Sequence, residues 1–238
     1  MRLSDVLGVS RNVKKKTKFL SLGALITGFL SVAFGIITFY GQNAGNFVMA
    51  VDQDAFYRGI ELSTDELFRS PTSRLMTDPV VDARDITYSW IKFDEIKDAR
   101  GHYRDPDYHY IAYTFFMRNN GLETVNVSYN IRITDVYKGV DEAVRFLVIE
   151  DDTIFRMYQK PDQRLEDGTL PEYFQVPQGI PFLSETMVAR HTIENFKPGE
   201  VKKFSIVIWL EGQDPDTNDD ILGGMIKAHM NFMIVGDA

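Results

Sequence analysis

Five acidic side chains lie within ten residues near the C-terminus, in the stretch 211-EGQDPDTNDD-220. Carboxylate and amide oxygens at alternating positions are typical of calcium-binding loops. This stretch contains such a series: Asp214, Asp216, Asn218 and Asp220. An EF-hand needs Gly at its sixth position and Glu at its twelfth, where this chain has Asp219 and Met225. An EF-hand is therefore excluded.

Two interpretations of this acidic stretch remain. Its four oxygen-bearing side chains could form a looser calcium site, which makes calcium the one cofactor that the sequence offers. Alternatively, the Asp and Asn side chains cap a short helix that ends at Gly223-Gly224, because such side chains accept hydrogen bonds from the free N–H groups of a helix start. In the second interpretation the stretch is only a turn between two strands.

Two of the four histidines, His102 and His109, flank the segment 103-YRDPDY-108. Together with the carboxylates of 214–220 they could supply the ligands of a metal-dependent hydrolase. Their spacing differs from the i, i+4 spacing of an HExxH helix, and Pro106 favours a loop. The chain has no GxSxG, SxxK or P-loop motif, and it has no cysteine for thiolate chemistry or disulfides. The sequence therefore favours a protein that is not an enzyme.

The N-terminal segment predicts contact with a membrane. Five of the eight residues from Arg11 to Lys18 are basic, and the next 22 residues, Phe19 to Tyr40, contain no charge. As a helix this apolar run would be about 33 Å long, enough to cross the hydrocarbon core. The positive-inside rule then keeps residues 1–18 in the cytoplasm. We expect a transmembrane or uncleaved signal helix over 19–41 and an extracytoplasmic domain over 42–238.

The fate of this leader stays open. It is longer than the 7–15-residue apolar core of most signal peptides, which favours a retained anchor. Cleavage after Ala44 or Ala50 would instead release the domain. The protein is thus expected either in the cell membrane with its C-terminal domain outside, or secreted after cleavage.

The charge of the domain argues against nucleic acid as a partner. The whole chain has a formal net charge of −8, but residues 1–18 hold six basic groups and one acidic group. The remainder therefore has a formal net charge of −13. An acidic surface of this kind repels phosphate backbones.

The rest of the sequence predicts a mainly β fold. In 125-VNVSYNIRITDV-136 apolar and polar residues alternate strictly, as in a strand with one buried face. The apolar run 108–119 precedes it, and Asn120-Gly121 between the two predicts a hairpin. Further strands are expected at Ala143–Ile149, Phe204–Leu210 and Met225–Val235, and a long loop at Asp162–Pro181. Short antiparallel strands of this kind are typical of a sandwich or jelly roll.

The order of these segments resembles the TasA/camelysin group of secreted proteins of Gram-positive bacteria. The likeness lies in an apolar leader, the short alternating strand 46-NFVMAVD-52, the run 112-AYTFFMRNNG-121, and the acidic turn before a final alternating strand. The resemblance implies a jelly-roll surface or matrix protein in which the first exported strand completes the sheet of the next subunit and builds fibres. Here that assembly strand would be Asn46, Phe47, Val48, Met49, Ala50 and Val51.

These observations lead to one expected function and two alternatives. We expect a non-catalytic structural protein of the bacterial cell surface or extracellular matrix that associates with itself through sheet edges or strand addition. The first alternative is a membrane-tethered module that binds a ligand in the cell envelope. The second is the metal-dependent hydrolase described above.

Overall fold

The computed structural model describes residues 22–34, 45–162, 168–169 and 172–236. The chain divides into two compact units, Met1–Asn43 and Ala44–Ala238. In the first unit residues 22–34 form a helix, α1, within the predicted apolar segment Phe19–Tyr40. The ends of the helix predicted over 19–41, which are residues 19–21 and 35–41, and the basic segment 1–18 lie outside the described residues. Among the helices that are described, none combines the length and apolarity needed to cross a membrane.

Five strands of the second unit form one sheet. They are β1 (Asn46–Val51), β3 (Arg74–Met76), β6 (Val125–Tyr137), β10 (Met187–Phe196) and β12 (Met225–Val235). Their spatial order is β10-β6-β12-β1-β3. The predicted inward face of β6 is confirmed, since the side chains of Val127, Tyr129 and Ile131 are fully buried. The other face is not uniformly exposed, because Ser128 and Asn130 are buried as well.

Seven strands form the other sheet. They are β2 (Ile60–Ser63), β4 (Gly101–His102), β5 (Ile111–Asn119), β7 (Val144–Glu150), β8 (Ile154–Gln159), β9 (Ile180–Pro181) and β11 (Val201–Leu210). Six of them are hydrogen-bonded neighbours in the spatial order β2-β5-β11-β7-β8-β9. The seventh, β4, is not part of this order and pairs with β5. The predicted strands after residue 140 thus all exist, and Met225–Val235 has the predicted bounds.

The expectation of purely antiparallel sheets is wrong. β1 runs parallel to β12 through six consecutive pairs, from Asn46–Lys227 to Val51–Phe232, and β8 runs parallel to β9. Parallel neighbours require a long connection. For β1 and β12, the first and last strands of the unit, the intervening chain from Asp52 to Gly224 provides it.

The predicted hairpin at Asn120-Gly121 is also wrong. β5 pairs with β2, β4 and β11, whereas β6 pairs with β10 and β12, so this turn joins the two sheets. The Asn119 side chain holds the turn by donating to the carbonyl oxygens of Glu123 and Phe196, both at 2.9 Å. The chain does turn at Asn-Gly, but neither Asn120 nor Gly121 has the positive φ of a tight hairpin turn. Local sequence also does not determine which strands then pair.

The apolar core lies between the two sheets. Aromatic rings meet across it: Phe115 of β5 lies 6.1 Å from Phe232 of β12, and Tyr129 of β6 lies 5.8 Å from Phe204 of β11, measured between ring centroids. All four side chains are fully buried. Burial of this many aromatic rings is a major stabilising contribution to the fold.

A second, smaller apolar cluster lies on the other face of the seven-stranded sheet. There Ile86, Ile91 and Ile96 pack with side chains of that sheet, among them Leu147 and Trp209. The covering segment contains a 3-10 turn at Tyr88–Trp90 and the helix α3 (Phe93–Asp98). A further short helix, α2 (Gln53–Tyr57), follows β1 and is capped by the Asp52 side chain. These short helices were not anticipated, because five or six residues give too short a window for helical periodicity.

Candidate functional site

The acidic stretch forms a structured turn between β11 and β12. Glu211, which is fully buried, accepts hydrogen bonds from the indole Nε1 of Trp209 at 3.0 Å and from the backbone N–H of Tyr88 at 3.1 Å. The turn ends in a 3-10 helix, Asp219–Ile221, whose N-cap Asn218 accepts from the N–H of Asp220. The capped turn inferred from the sequence is therefore present.

Asp214 is the most buried of the four residues in the proposed calcium series. Its Oδ2 lies 2.7 Å from Nη2 of Arg145, and both side chains are completely buried. Its Oδ1 accepts from the N–H of Asp216 at 2.9 Å. Burial, and then the negative charge of Asp214, raise the pKa of Asp216. Across the described part of the chain, no three His, Asp or Glu side chains are grouped so that they could hold one metal ion. The calcium site stays a prediction.

Arg145 has more donors than partners. Its Nε and Nη1 are buried without a hydrogen-bond partner among the described residues, while the ring of Tyr173 lies 5.9 Å from the guanidinium carbon. A buried guanidinium is costly unless it is paired. The contact with Asp214 therefore fixes the acidic turn to β7, and this role needs no metal.

The two histidines lie at a different place, a cleft of about 350 Å³. Three segments form its walls, 77–82, 102–105 and 108–112, and we refer to this feature as the cleft. His102 and His109 both line it, whereas no residue of 214–220 does. The structure thus brings the two histidines together but separates them from the carboxylates with which the hydrolase alternative combined them.

Asp78 links two cleft residues. Its carboxylate is paired with Arg104, and its backbone N–H donates to Nε2 of His102 at 3.0 Å. The hydrogen bond from Arg104 lowers the pKa of Asp78. The His102 ring packs edge-on against Tyr113, with 4.7 Å between centroids. The Asp78 N–H also lies 3.3 Å from Nδ1 of His102, so it contacts both ring nitrogens. The charge of Asp78 is balanced within the cleft.

Asp105 anchors the loop between the histidines. Its side chain is completely buried and lies 3.3 Å from Nζ of Lys92. Its carboxylate also accepts from the N–H of Asp107 at 2.9 Å and from the hydroxyl of Tyr110 at 3.2 Å. Burial raises the pKa of Asp105, but these hydrogen bonds and the Lys92 charge outweigh it and lower the pKa. Asp105 is thus a structural residue of the cleft wall.

Two cleft residues are left with free groups. His109 lies at the rim with Nδ1 at 3.1 Å from the carbonyl oxygen of Asp82. The carboxylate of Asp82 has no hydrogen bond or ion pair to any described residue.

Tyr108 stacks on Trp90, with 5.3 Å between ring centroids and an interplanar angle of 25°. The contributions of Asp78 and Asp82 could not be read from the sequence, since they lie 20 or more residues before the histidines and no local pattern connects them.

The proposed assembly strand is β1. It lies between β12 and β3 in the five-stranded sheet. Phe47, Met49 and Val51 point into the core, whereas Asn46, Val48 and Ala50 are half-buried on the other face. In this structure the strand therefore completes the sheet of its own chain.

Comparisons with protein-family models, with curated proteins and with solved structures found no match for this chain.

Proposed function

We propose that this chain is a non-catalytic structural protein of the bacterial cell surface or extracellular matrix, whose subunits join by exchanging β1. The observation that carries the proposal is the position of this strand. β1 comes first in its unit, pairs with the last strand, and places Phe47 and Met49 in the core with no exposed surface. A terminal strand can be supplied by another copy of the chain with the same contacts, as in domain swapping and strand addition.

The open edges of the sheets favour strand exchange over edge-to-edge pairing. β10 is a long edge strand, but its pairing with β6 contains two irregularities, between Met187 and Ala189 and between Ile193 and Phe196. Its exposed side chains include the charged Arg190 and Glu194. The other edges, β2, β3 and β9, have only two to four residues. Bulges, charges and short strands are the features by which edges avoid unwanted pairing.

The finer architecture and the location belong to the same proposal. Two sheets with a shared aromatic core are consistent with a β-sandwich or jelly roll. We propose that Phe19–Tyr40 inserts into the cell membrane, with the basic flank inside and residues 42–238 outside, unless the leader is cleaved and the domain is secreted. The acidic turn supports a structural role, because its buried carboxylates of Glu211 and Asp214 bind the backbone of the turn and groups elsewhere in the domain.

A pair of introduced cysteines tests strand exchange. The chain has no cysteine of its own, and Val48 of β1 is the register partner of His229 of β12. Neighbouring strands lie about 4.8 Å apart, within the Cα separation that a disulfide spans. We expect the full-length Val48→Cys/His229→Cys variant, oxidised in bacterial cells, to form a ladder of chains linked by disulfides on a non-reducing gel.

A monomer band alone, with its disulfide formed, would contradict strand exchange, because β1 would then have stayed in its own chain. The single variant Leu122→Cys, in a side chain that is 97% exposed, is the control. It reports disulfides formed by random collision, which give dimers but no ladder.

The second candidate function is a membrane-tethered module that binds an envelope ligand. The cleft favours it, because a concave site with fixed walls and a few free polar groups is typical of ligand-binding sites. Nothing prevents one protein from having both functions, since no residue of β1 lines the cleft.

A further inference from the structure

Two tyrosines in the walls of the cleft are held in place by hydrogen bonds to carboxylates. Tyr103 donates its hydroxyl to Glu95 at 2.6 Å, and Tyr110 donates its hydroxyl to Asp105 at 3.2 Å. Burial first, and then these acidic neighbours, raise the pKa of both tyrosines. Their hydroxyls are therefore neutral and already engaged, so these side chains offer mainly their ring surfaces to a ligand.

Tyr108 provides another ring surface. Trp90 stacks on one side of it and is itself 51% exposed. Because Tyr108 also lines the cleft, a ligand there would contact a ring that is supported from behind. Aromatic rings pack well against flat apolar surfaces, including the C–H faces of ring compounds.

The free polar groups of the cleft are suited to hydroxyl groups. A carbonyl oxygen only accepts hydrogen bonds, so the contact with Asp82 places a proton on Nδ1 of His109, and in the neutral ring Nε2 is then an acceptor. The carboxylate of Asp82 adds two further acceptor oxygens. Asp78 is balanced by Arg104 and Asp105 by Lys92, so among the lining carboxylates only that of Asp82 is left without a counter-charge. Asp82 is exposed, and water and salt screen its charge, so a neutral ligand with hydroxyl donors can satisfy it.

We propose that the cleft binds a neutral carbohydrate, with a sugar ring packed against Tyr108 and two adjacent hydroxyls donating to the carboxylate of Asp82. Small-molecule sites have volumes of roughly 300–1,000 Å³, and the cleft, at about 350 Å³, holds one or two sugar rings. This inference rests on the second candidate function. The same chemistry could come from a free sugar or from the end of an envelope polysaccharide.

Saturation-transfer NMR and calorimetry on the full-length protein in detergent test this proposal. The probes are three neutral disaccharides, cellobiose, maltose and N,N′-diacetylchitobiose, each compared with its tetrasaccharide. We expect at least one to bind and to change the fluorescence of Trp90, the exposed one of the two tryptophans. Equal affinity for both lengths points to a free sugar, and tighter binding of the tetrasaccharide points to a polysaccharide.

Two variants locate the binding. Asp82→Asn keeps the shape of the side chain and removes its charge, and Tyr108→Ala removes the ring. Each should weaken binding about tenfold or more, since one charged hydrogen bond or one ring contact is worth about that factor. The matched controls outside the cleft, Asp135→Asn and Tyr57→Ala, change exposed residues of the same types and should leave affinity unchanged.

Failure of all six sugars to bind would overturn the proposal, as would binding that Asp82→Asn leaves unchanged. Asp82 is exposed, so this variant should fold even if Tyr108→Ala does not. Neither result would affect strand exchange, which depends on β1 and is read from disulfide ladders.

Discussion

Arg145 is the largest side chain that the described part of the chain buries completely, and its one ionic partner is Asp214. A buried ion pair of this kind adds little net stability compared with apolar residues, but losing one partner leaves a bare charge in the interior. The pair therefore specifies the position of the acidic turn against β7 more than it strengthens the fold.

Replacing Arg145 alone should strongly destabilise the domain. We expect Arg145→Met to lower the free energy of unfolding by about 3–5 kcal/mol, because the Asp214 carboxylate stays buried without its counter-charge. The double variant Arg145→Met/Asp214→Asn should regain most of the loss, since Asn keeps an acceptor for the N–H of Asp216. Urea denaturation measures both.

The control for this prediction is Arg58→Met. The ion pair of Arg58 with Glu123 is exposed, with 41% and 73% of the two side chains accessible, and should contribute at most about 1 kcal/mol. Equal losses of stability for the buried and the exposed arginine would show that the Arg145–Asp214 pair does not fix the position of the acidic turn.

His191 should make stability depend on pH. Burial, and then the charge of Arg156 with its Nη2 at 3.4 Å, lower the pKa of His191 below its ordinary value of 6.5. The unfolded chain therefore binds the proton first as the pH falls. This contribution to stability is complete above pH 6.5 and is lost below it, towards the lowered pKa of the folded state.

We expect the free energy of unfolding of His191→Gln to fall less between pH 7.5 and pH 5.5 than that of the unchanged protein, as measured by urea denaturation at each pH. His109→Gln, which changes an exposed imidazole, is the control. If His191→Gln retains the full decline, protonation of His191 is not its cause.

At the scale of the elements, the turn between β5 and β6 depends on two glycines in contact. Gly59 has a φ of +97°, and a Cβ there would lie 2.3 Å from the backbone nitrogen of Gly121. A Cβ on Gly121 would lie 2.2 Å from the carbonyl oxygen of Arg58. Since all these neighbours are backbone atoms, neither position can accept a side chain without moving the chain.

We expect Gly59→Ala and Gly121→Ala each to destabilise the domain more than Gly199→Ala. Gly199 also has a positive φ, +80°, but it has open space around its Cβ position. Its substitution should therefore cost only the conformational penalty of about 1 kcal/mol. The two contact positions should cost about 1–3 kcal/mol more, which thermal denaturation can measure. Equal losses of stability at all three positions would contradict the close backbone packing around Gly59 and Gly121.

The same turn shows what local sequence can and cannot predict. The strands β6, β11 and β12 could be predicted because each has many residues with alternating or continuous apolar character. The turn at Gly121 could be predicted because Asn-Gly pairs are frequent in turns, although neither residue has a positive φ here. That β5 and β6 lie in different sheets, and that β1 lies parallel to β12, depends on contacts between distant segments. His102 and His109 could be assigned to one site from sequence because they lie close together in the chain. Asp82 reaches the same cleft from a distant segment, so it could not be assigned to that site.

At the scale of the whole molecule, charge opposes the self-association that we propose. Residues 19–238 have a formal net charge of −13, so two copies repel each other at long range. The contacts of β1 are mainly apolar and backbone contacts, which salt does not screen. Repulsion between copies therefore controls how often strands exchange, and the apolar contacts control how firmly an exchanged strand is held.

This separation predicts that salt promotes assembly. The screening length falls from about 30 Å at 0.01 M salt to about 3 Å at 1 M. We therefore expect the fraction of Val48→Cys/His229→Cys chains in the disulfide ladder to rise steadily with sodium chloride over this range. Sucrose at the same osmolality is the control, because it strengthens burial without screening charge. If sucrose and salt increase the ladder equally, apolar burial and not charge repulsion limits strand exchange. If salt reduces the ladder, attraction between unlike charges must hold the copies together instead.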